Sequence, residues 1–446
     1  MKETLIDIET YSEVDIGKCG LYRYATDPSF EILLVAWATD EGEGFGETRC
    51  ADLASGEPLP KELLEDFQSG NVRLIAHNAS FERVCFSVHL QRHLPGQYLK
   101  PGEFLSPDSW ICTMVMAGSV SPAIASLTLP MALKDVGTVL KTCQQKDKEG
   151  ERLIKLFSMP CKPTKSNGMR TRNLPEHYPA DWEKFKYYCI QDVNTEVDIY
   201  KRLKKFPLPE QEWKHYRVNE RINDRGVKID TELVQQAIAC DLMLSDAMSK
   251  KAYELTGLEN PNSVSQLKSW LDERGIPMDT LGKKDVAQMI EELDKNGVDA
   301  EAMDMLKLRL QMAKSSVKKY QAAERCVCSD GRARGLFQFY GASRTGRYSG
   351  RNIQLQNLPQ NHISTLDEAR ELVKLGCFDM VETIYGNTPD VLSQLIRTML
   401  IPREGCEFIV ADFSAIEARV LAWEAGEDWR LEAFLEGKDI YCGSAS

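Results

Sequence analysis

Thr4-Leu5-Ile6-Asp7-Ile8-Glu9-Thr10 is the stretch on which the reading of this chain turns. It has the apolar content of a short strand, interrupted by acids at i and i+2, so both carboxylates leave the strand from one face. Like charges that close repel unless a cation lies between them. Two divalent ions about 4 Å apart, held by carboxylates, are a common device for hydrolysing a phosphodiester. A strand with one solvated face also displays Asp-x-Glu, so the choice rests on residues elsewhere in the chain.

Glu31 to Ala38 and Val72 to His77 supply two further strands. The three lie too close in sequence for parallel crossovers, so an antiparallel meander followed by helices is expected. His77-Asn78-Ala79-Ser80-Phe81-Glu82 then enters a helix that should begin near Ser80, with Asn78 and Glu82 four apart and able to address one site. Asp181 to Tyr200 reads as a helix with Phe185, Cys189, Val193 and Val197 on its apolar stripe. Tyr188 and Asp192 sit one turn apart on the adjoining face. A phenol beside a metal-bound carboxylate can orient an attacking water, because it donates and accepts while staying neutral. Asp108 is a reserve acid, and the polar stretch from Gly137 to Pro179 reads as a surface excursion.

At 446 residues the chain should hold two or more domains. The amino terminus puts Asp7 into the first apolar run, unlike a signal peptide, and no apolar stretch reaches membrane-spanning length. A cytoplasmic protein without a membrane partner is expected. Thirteen cysteines are scattered, and Cys326 and Cys328 lack the spacing of a zinc knuckle, so reduced thiols are expected. A net charge of -12 excludes a protein that coats nucleic acid over its whole surface. Between Lys307 and Arg351, however, eleven Lys or Arg face only Glu324 and Asp330, a local balance of +9 that suits a polyanion.

Phe206-Pro207-Leu208-Pro209 breaks the preceding helix, and long helical patterns resume from Glu210 to about Gly257 and from Lys283 to Arg325, with Asn262 or Ser263 capping a helix between them. Farther on, Arg344, Arg347 and Arg351 stand among Gly, Ser and Thr, able to approach a sugar-phosphate backbone. Gln356 and Asn357 can reach minor-groove acceptors. Leu395-Ile396-Arg397 precedes the apolar run Phe408 to Ala411, which reads as a strand covered on both faces and ending at Asp412. Ser414 and Glu417 have capping-box spacing for a helix that follows.

Asp7 and Glu9, then Asn78 to Glu82, then Tyr188 with Asp192 resemble, in order and spacing, the proofreading 3′-to-5′ exonuclease domain with a DEDD-type site. The second motif departs from the pattern by carrying Glu82 where Asp is usual. The later succession Thr345-Gly346-Arg347, Leu355-Gln356-Asn357-Leu358-Pro359, Ile396-Arg397 and Ala411-Asp412-Phe413-Ser414-Ala415-Ile416-Glu417 resembles the palm of a family A, polymerase I type DNA polymerase, phage-like overall.

The resemblance implies a ribonuclease H-like α/β exonuclease domain over residues 1–205, a mainly helical thumb over 206–335, and an incomplete α+β palm with the start of the fingers over 336–446. It implies two Mg²⁺ or Mn²⁺ ions per active site, held by Asp7, Glu9 and Asp192 in one and Asp412 in the other, with Glu82 and Tyr188 assisting catalysis. Asn78, Arg344, Arg347, Gln356, Asn357 and Arg397 would contact a DNA primer-template, and Phe413 and Glu417 a nucleotide. Phe413 and Ala415 stand where the family usually has Tyr and Gln. Thirty-four residues follow Asp412, without the finger helix or second palm Asp of the family. Polymerisation by this polypeptide unaided is therefore not expected, nor dNTP binding unless another chain completes the palm. In a phage-encoded protein the location would be the host cytosol. Rival readings are an autonomous 3′-exonuclease and a non-catalytic DNA-binding fragment.

Overall fold

The computed structural model describes residues 1–123, 131–142, 148–296, 299–312, 317–342, 345–438 and 440. In chain order, the first part contains β1 (Lys2–Tyr11), α1 (Ile16–Cys19), α2 (Leu21–Thr26), β2 (Glu31–Asp40), β3 (Arg49–Asp52), α3 (Lys61–Gln68), β4 (Val72–Ala76), α4 (Ser80–His93), β5 (Trp110–Cys112), α5 (Thr113–Ala123), α6 (Leu133–Leu140), α7 (Lys148–Phe157) and α8 (Pro179–Leu203). The strands form one sheet in the order β3-β2-β1-β4-β5. β1 is central and nearly all buried, antiparallel to β2 and parallel to β4, with Leu5 opposite Ala38 on one side and Ile75 on the other.

The antiparallel meander was expected to include Val72 to His77, and here the structure differs. The third antiparallel strand is the short β3, and β4 runs parallel to β1. The nineteen residues between β3 and β4, with α3 among them, are enough for the crossover once β3 has turned the chain back. The stretch from Gly137 to Pro179 is likewise more than surface. α7 places Leu153 and Phe157 in the core, where the Phe157 ring meets Trp182 at 4.8 Å and Phe185 at 5.4 Å. Its many Lys and Glu residues mask this pattern, because they cover only the outer face.

The next segment contains α9 (Glu210–Arg225), β6 (Val227–Ile229), α10 (Thr231–Thr256), α11 (Val264–Glu273), α12 (Lys283–Asn296), α13 (Ala300–Met312) and α14 (Val317–Cys326). The expected helical patterns from Glu210 to about Gly257 form two helices, divided at Gly226, whose φ of 58° and close approach to the Ala333 carbonyl leave no room for a side chain. Ser263 caps α11 by accepting from the Gln266 N–H. Beyond come β7 (Arg332–Ala333), β8 (Phe337–Ala342), β9 (Arg347–Gly350), α15 (Leu366–Lys374), α16 (Phe378–Tyr385), α17 (Thr388–Leu395) and β10 (Leu400–Ile401). β6 pairs with both β7 and β10, and β8 with β9. Three apolar clusters result: one under the five-stranded sheet, one around α10, α14 and α17, and one among α11, α12 and α13. The eleven described cysteines are free thiols.

Residues 402–446 form a separate unit containing α18 (Ile416–Ala425) and α19 (Asp428–Leu435). Here the expected buried strand is absent. Phe408 to Ala411 has no assigned strand structure, with Ile409 90% and Val410 89% exposed. An apolar run becomes a strand only where neighbours accept its backbone hydrogen bonds, and no described strand pairs with this one. Nor does Ser414 cap the helix: Ala415, with φ 51°, occupies the cap position without a side-chain bond.

One polar cluster locks α9 to α4. Arg83, fully buried, donates to Glu220 at 2.9 Å, to Asp224 at 2.8 Å and to the Leu105 carbonyl at 2.9 Å. Truncating one partner of a buried pair strands the other's charge. Arg83→Met should therefore destabilise the fold by about 3–5 kcal/mol, read by denaturant unfolding; a loss below about 1 kcal/mol, the scale of exposed pairs, would show that the cluster is not closed to water.

Candidate active site

β1 and α8 bring together residues that lie 185 positions apart. Asp7, Glu9 and Asp192 each offer a carboxylate oxygen, and these oxygens all lie within 4.8 Å of one another. The alternation of β1 carries Asp7 and Glu9 to one face, and α8 crosses that face with Phe185, Cys189 and Val193 fully buried against the sheet. The Cys189 thiol lies 3.8 Å from an Asp7 oxygen. Crowding of anions is the chemical condition for binding divalent cations, and this donor set of carboxylate oxygens suits hard ions.

Two more acids surround the cluster. Glu82, in the first turn of α4, is 3% exposed, and one of its oxygens has no hydrogen-bond partner among the described residues. Burial, then the charge of Asp7, pushes its pKa well above the usual carboxylate range. Glu196, one turn beyond Asp192, is fully buried and shifted upward by the same two causes, partly offset by the Thr113 hydroxyl, which donates to it at 3.0 Å. Thr113 also meets His77 Nδ1 at 2.9 Å. Glu196 escaped the sequence reading, although its i+4 spacing from Asp192 was the available signal. Tyr188 is buried, and burial followed by the charges of Asp192 and Glu9 raises its pKa, so the phenol stays neutral. A groove of about 460 Å³, lined by Ile8, Glu9, Tyr24, Phe81 and Met159 among others, opens beside Glu9.

The remaining predicted residues lie elsewhere. Asn78 adopts a left-handed conformation, φ 72°, and lines a different cavity, whose walls include none of the three clustered carboxylates. Asp108 pairs with Arg221 at 2.6 Å on the surface and does not join the cluster. Arg347, on β9, and Gln356 and Asn357, on a following turn, are exposed. The Gln356 side chain folds back over Gly350, with its Oε1 2.0 Å from where a Cβ would stand. Arg397 donates to the carbonyls of Leu358 at 2.9 Å and Pro359 at 2.7 Å, tying two of the sequence motifs together. Arg344 lies outside the described residues. In the separate unit, Asp412, Phe413 and Glu417 are all exposed. Part of the basic stripe is committed internally: Arg332 holds the carbonyls of Arg225 and Gly226, and Arg334 holds Asp330.

Residues 235–446 match the family model of DNA polymerase family A. The chain is 50% identical over 446 residues to the DNA polymerase of Bacillus phage SP02, covering 100% of this chain and 65% of that polymerase. It is 29% identical over 224 residues to DNA polymerase I of Geobacillus stearothermophilus, covering 49% of this chain and 22% of the bacterial protein. The chain is thus similar to family A DNA polymerases of phage and bacterial origin, and it spans less than two thirds of the length of these relatives. The POL domain of Pol1 from M. smegmatis, solved in complex with DNA primer-template and dNTP, matches 98% of this chain and 61% of that one, with a TM-score of 0.55. At 16% identity, that likeness concerns the fold.

Mutual repulsion of the three carboxylates yields a prediction that needs no enzyme assay. In EDTA, Asp192→Asn should raise the unfolding midpoint, equivalent to roughly 1–3 kcal/mol, by removing one of the like charges. Millimolar Mg²⁺ should stabilise the unsubstituted protein and have little effect on the variant. Indifference of the unsubstituted protein to Mg²⁺ would remove the metal reading.

Proposed function

We propose that the chain is a DNA polymerase of family A that acts in DNA replication and carries a ribonuclease H-like 3′-to-5′ exonuclease in residues 1–205. Residues 206–335 are assigned to the thumb and 336–446 to the palm and the start of the fingers. The observation supporting the exonuclease is the meeting of Asp7, Glu9 and Asp192. These residues would hold two divalent ions, Mg²⁺ or Mn²⁺, which supply an activated water and neutralise charge developing on the phosphate. The chain's own groups do the positioning. Tyr188, kept neutral, can orient a water by donating and accepting at its hydroxyl. Glu82 reaches toward the cluster from the opposite helix, one methylene longer than the Asp usual there. The groove beside Glu9, with Tyr24 and Phe81 in its wall, suits the terminal nucleoside of a single strand.

For the polymerase reading, Arg347, Gln356 and Asn357 are assigned to primer-template contact, with Arg344 as a further contact; Asn78 is assigned to nucleic-acid contact with the exonuclease motifs. Arg397 supports them by holding the Leu358–Pro359 turn. Asp412 is assigned to metal, and Phe413 and Glu417 to the incoming dNTP. The presence of primer-template and dNTP in the M. smegmatis complex favours both partners.

With Mg²⁺ and 3′-labelled single-stranded DNA, the protein should release label, and Asp7→Ala with Glu9→Ala should slow release by more than about a hundredfold, beyond what outer ligands of a metal contribute. Tyr188→Phe should cost roughly a hundredfold or more if the hydroxyl helps position the water or transfer its proton. Release unchanged by the double substitution would refute the site. DNA affinity should fall steeply with salt, and Arg347→Ala should flatten the log-log slope by about one; an unaltered slope would take Arg347 off the phosphate backbone.

A further inference from the structure

We propose that the cavity into which Asn78 faces, bounded by α1, α9, α14 and the β8–β9 ribbon, binds a nucleoside 5′-monophosphate. The proposal stands apart from the exonuclease reading. The cavity measures about 650 Å³, within the range of small-molecule sites and too small for a duplex. Lys18, Arg325 and Arg351 are lining residues with exposed side chains. Lys18 reaches only Asp15, at 3.4 Å, and neither guanidinium makes a side-chain hydrogen bond or ion pair among the described residues. The one acid in the lining, Glu220, is already paired with Arg83 at 2.9 Å. The site therefore carries unspent positive charge, and guanidinium groups match phosphate oxygens in pairs.

The inner wall has a different chemistry. Tyr216 and Phe339, rings 6.0 Å apart, stand beside Asn219, whose side-chain oxygen has no partner among the described residues, while the Asn223 amide is held by the Phe337 backbone. Apolar ring surface beside an amide oxygen that can accept from a base amino group suits a nucleobase, whereas inorganic phosphate would leave that wall uncovered. Backbone strain is concentrated here as well. Of the eight non-glycine residues described with positive φ, three line this cavity: Asn78 at 72°, Asn352 at 53° and Gln354 at 55°. Such conformations cost free energy and gather where binding shapes the chain. At Gly20, whose φ of 77° favours glycine, the Asn352 amide comes within 2.6 Å of where a Cβ would stand.

The test is calorimetric titration of the full chain with dAMP in EDTA, where no divalent ion can recruit the nucleotide to the carboxylates. One-to-one binding is expected, weakened at least tenfold in the Arg325→Ala, Arg351→Ala double variant and unchanged in Asp7→Ala. Since both arginines are exposed, the double variant should keep its unfolding midpoint. Adenosine and inorganic phosphate should each bind more weakly than dAMP. The proposal is overturned if dAMP gives no heat at millimolar concentration, or if the double variant binds as the parent does. It is also overturned if binding is lost in Asp7→Ala, or if inorganic phosphate binds as well as dAMP, which would mark a simple anion site.

Discussion

Three carboxylates held within 4.8 Å repel one another, and the first half of the molecule is built so that they cannot move apart. Asp7 and Glu9 belong to the central strand, fixed on both sides by neighbouring ladders. Asp192 belongs to a long helix clamped to the sheet near both ends. The Trp182 indole donates to Asp52 at 2.7 Å, and the Tyr200 hydroxyl and the Lys204 ammonium, just beyond the helix end, both donate to Glu3 at 2.9 Å. Between the clamps, Phe185, Cys189 and Val193 bury the helix face. The free energy gained by burying these side chains offsets the cost of like charges, and the site is pre-organised as a result.

Glu82 and Glu196 extend the same logic. Both are buried beside Asp7, and both respond by favouring the neutral acid, which removes charge from a neighbourhood that already has too much. The Thr113 hydroxyl gives Glu196 a defined partner, so it is fixed in place as well as screened.

How far the sequence revealed this architecture depends on what kind of signal each element sends. Strand and helix periodicities place Asp7 with Glu9, and Tyr188 with Asp192, on common faces without reference to the rest of the fold, whereas the meeting of the two elements was an expectation drawn from the resemblance alone. Pairing partners were less legible. Whether Val72 to Ala76 lies parallel or antiparallel to β1 depends on β3, a four-residue strand too short to announce itself. Glu196 was hidden for another reason: an acid on a helix looks like solvent exposure until the neighbouring helix covers it. Phe408 to Val410 was misread the opposite way, since hydrophobicity marks a preference for burial and cannot say whether a neighbour exists to provide it. Arg332 and Arg334 counted toward a charged face, yet they secure carbonyls and an acid within the fold.

The small sheet β10-β6-β7 has a consequence for the order in which the protein is made. Every strand that pairs in the first sheet precedes residue 113, and α8 ends at Leu203, so most of the first core can close while later residues are still on the ribosome. By contrast, Leu400 pairs with Ile229 and Ile401 with Lys228, about 170 residues earlier in the chain. Closing so long a loop is entropically costly and waits for the last of those residues to emerge. Until then Leu233, Val234 and Ala237 lack the neighbours that bury them, and the nascent chain carries an uncovered apolar face that chaperones and proteases can read.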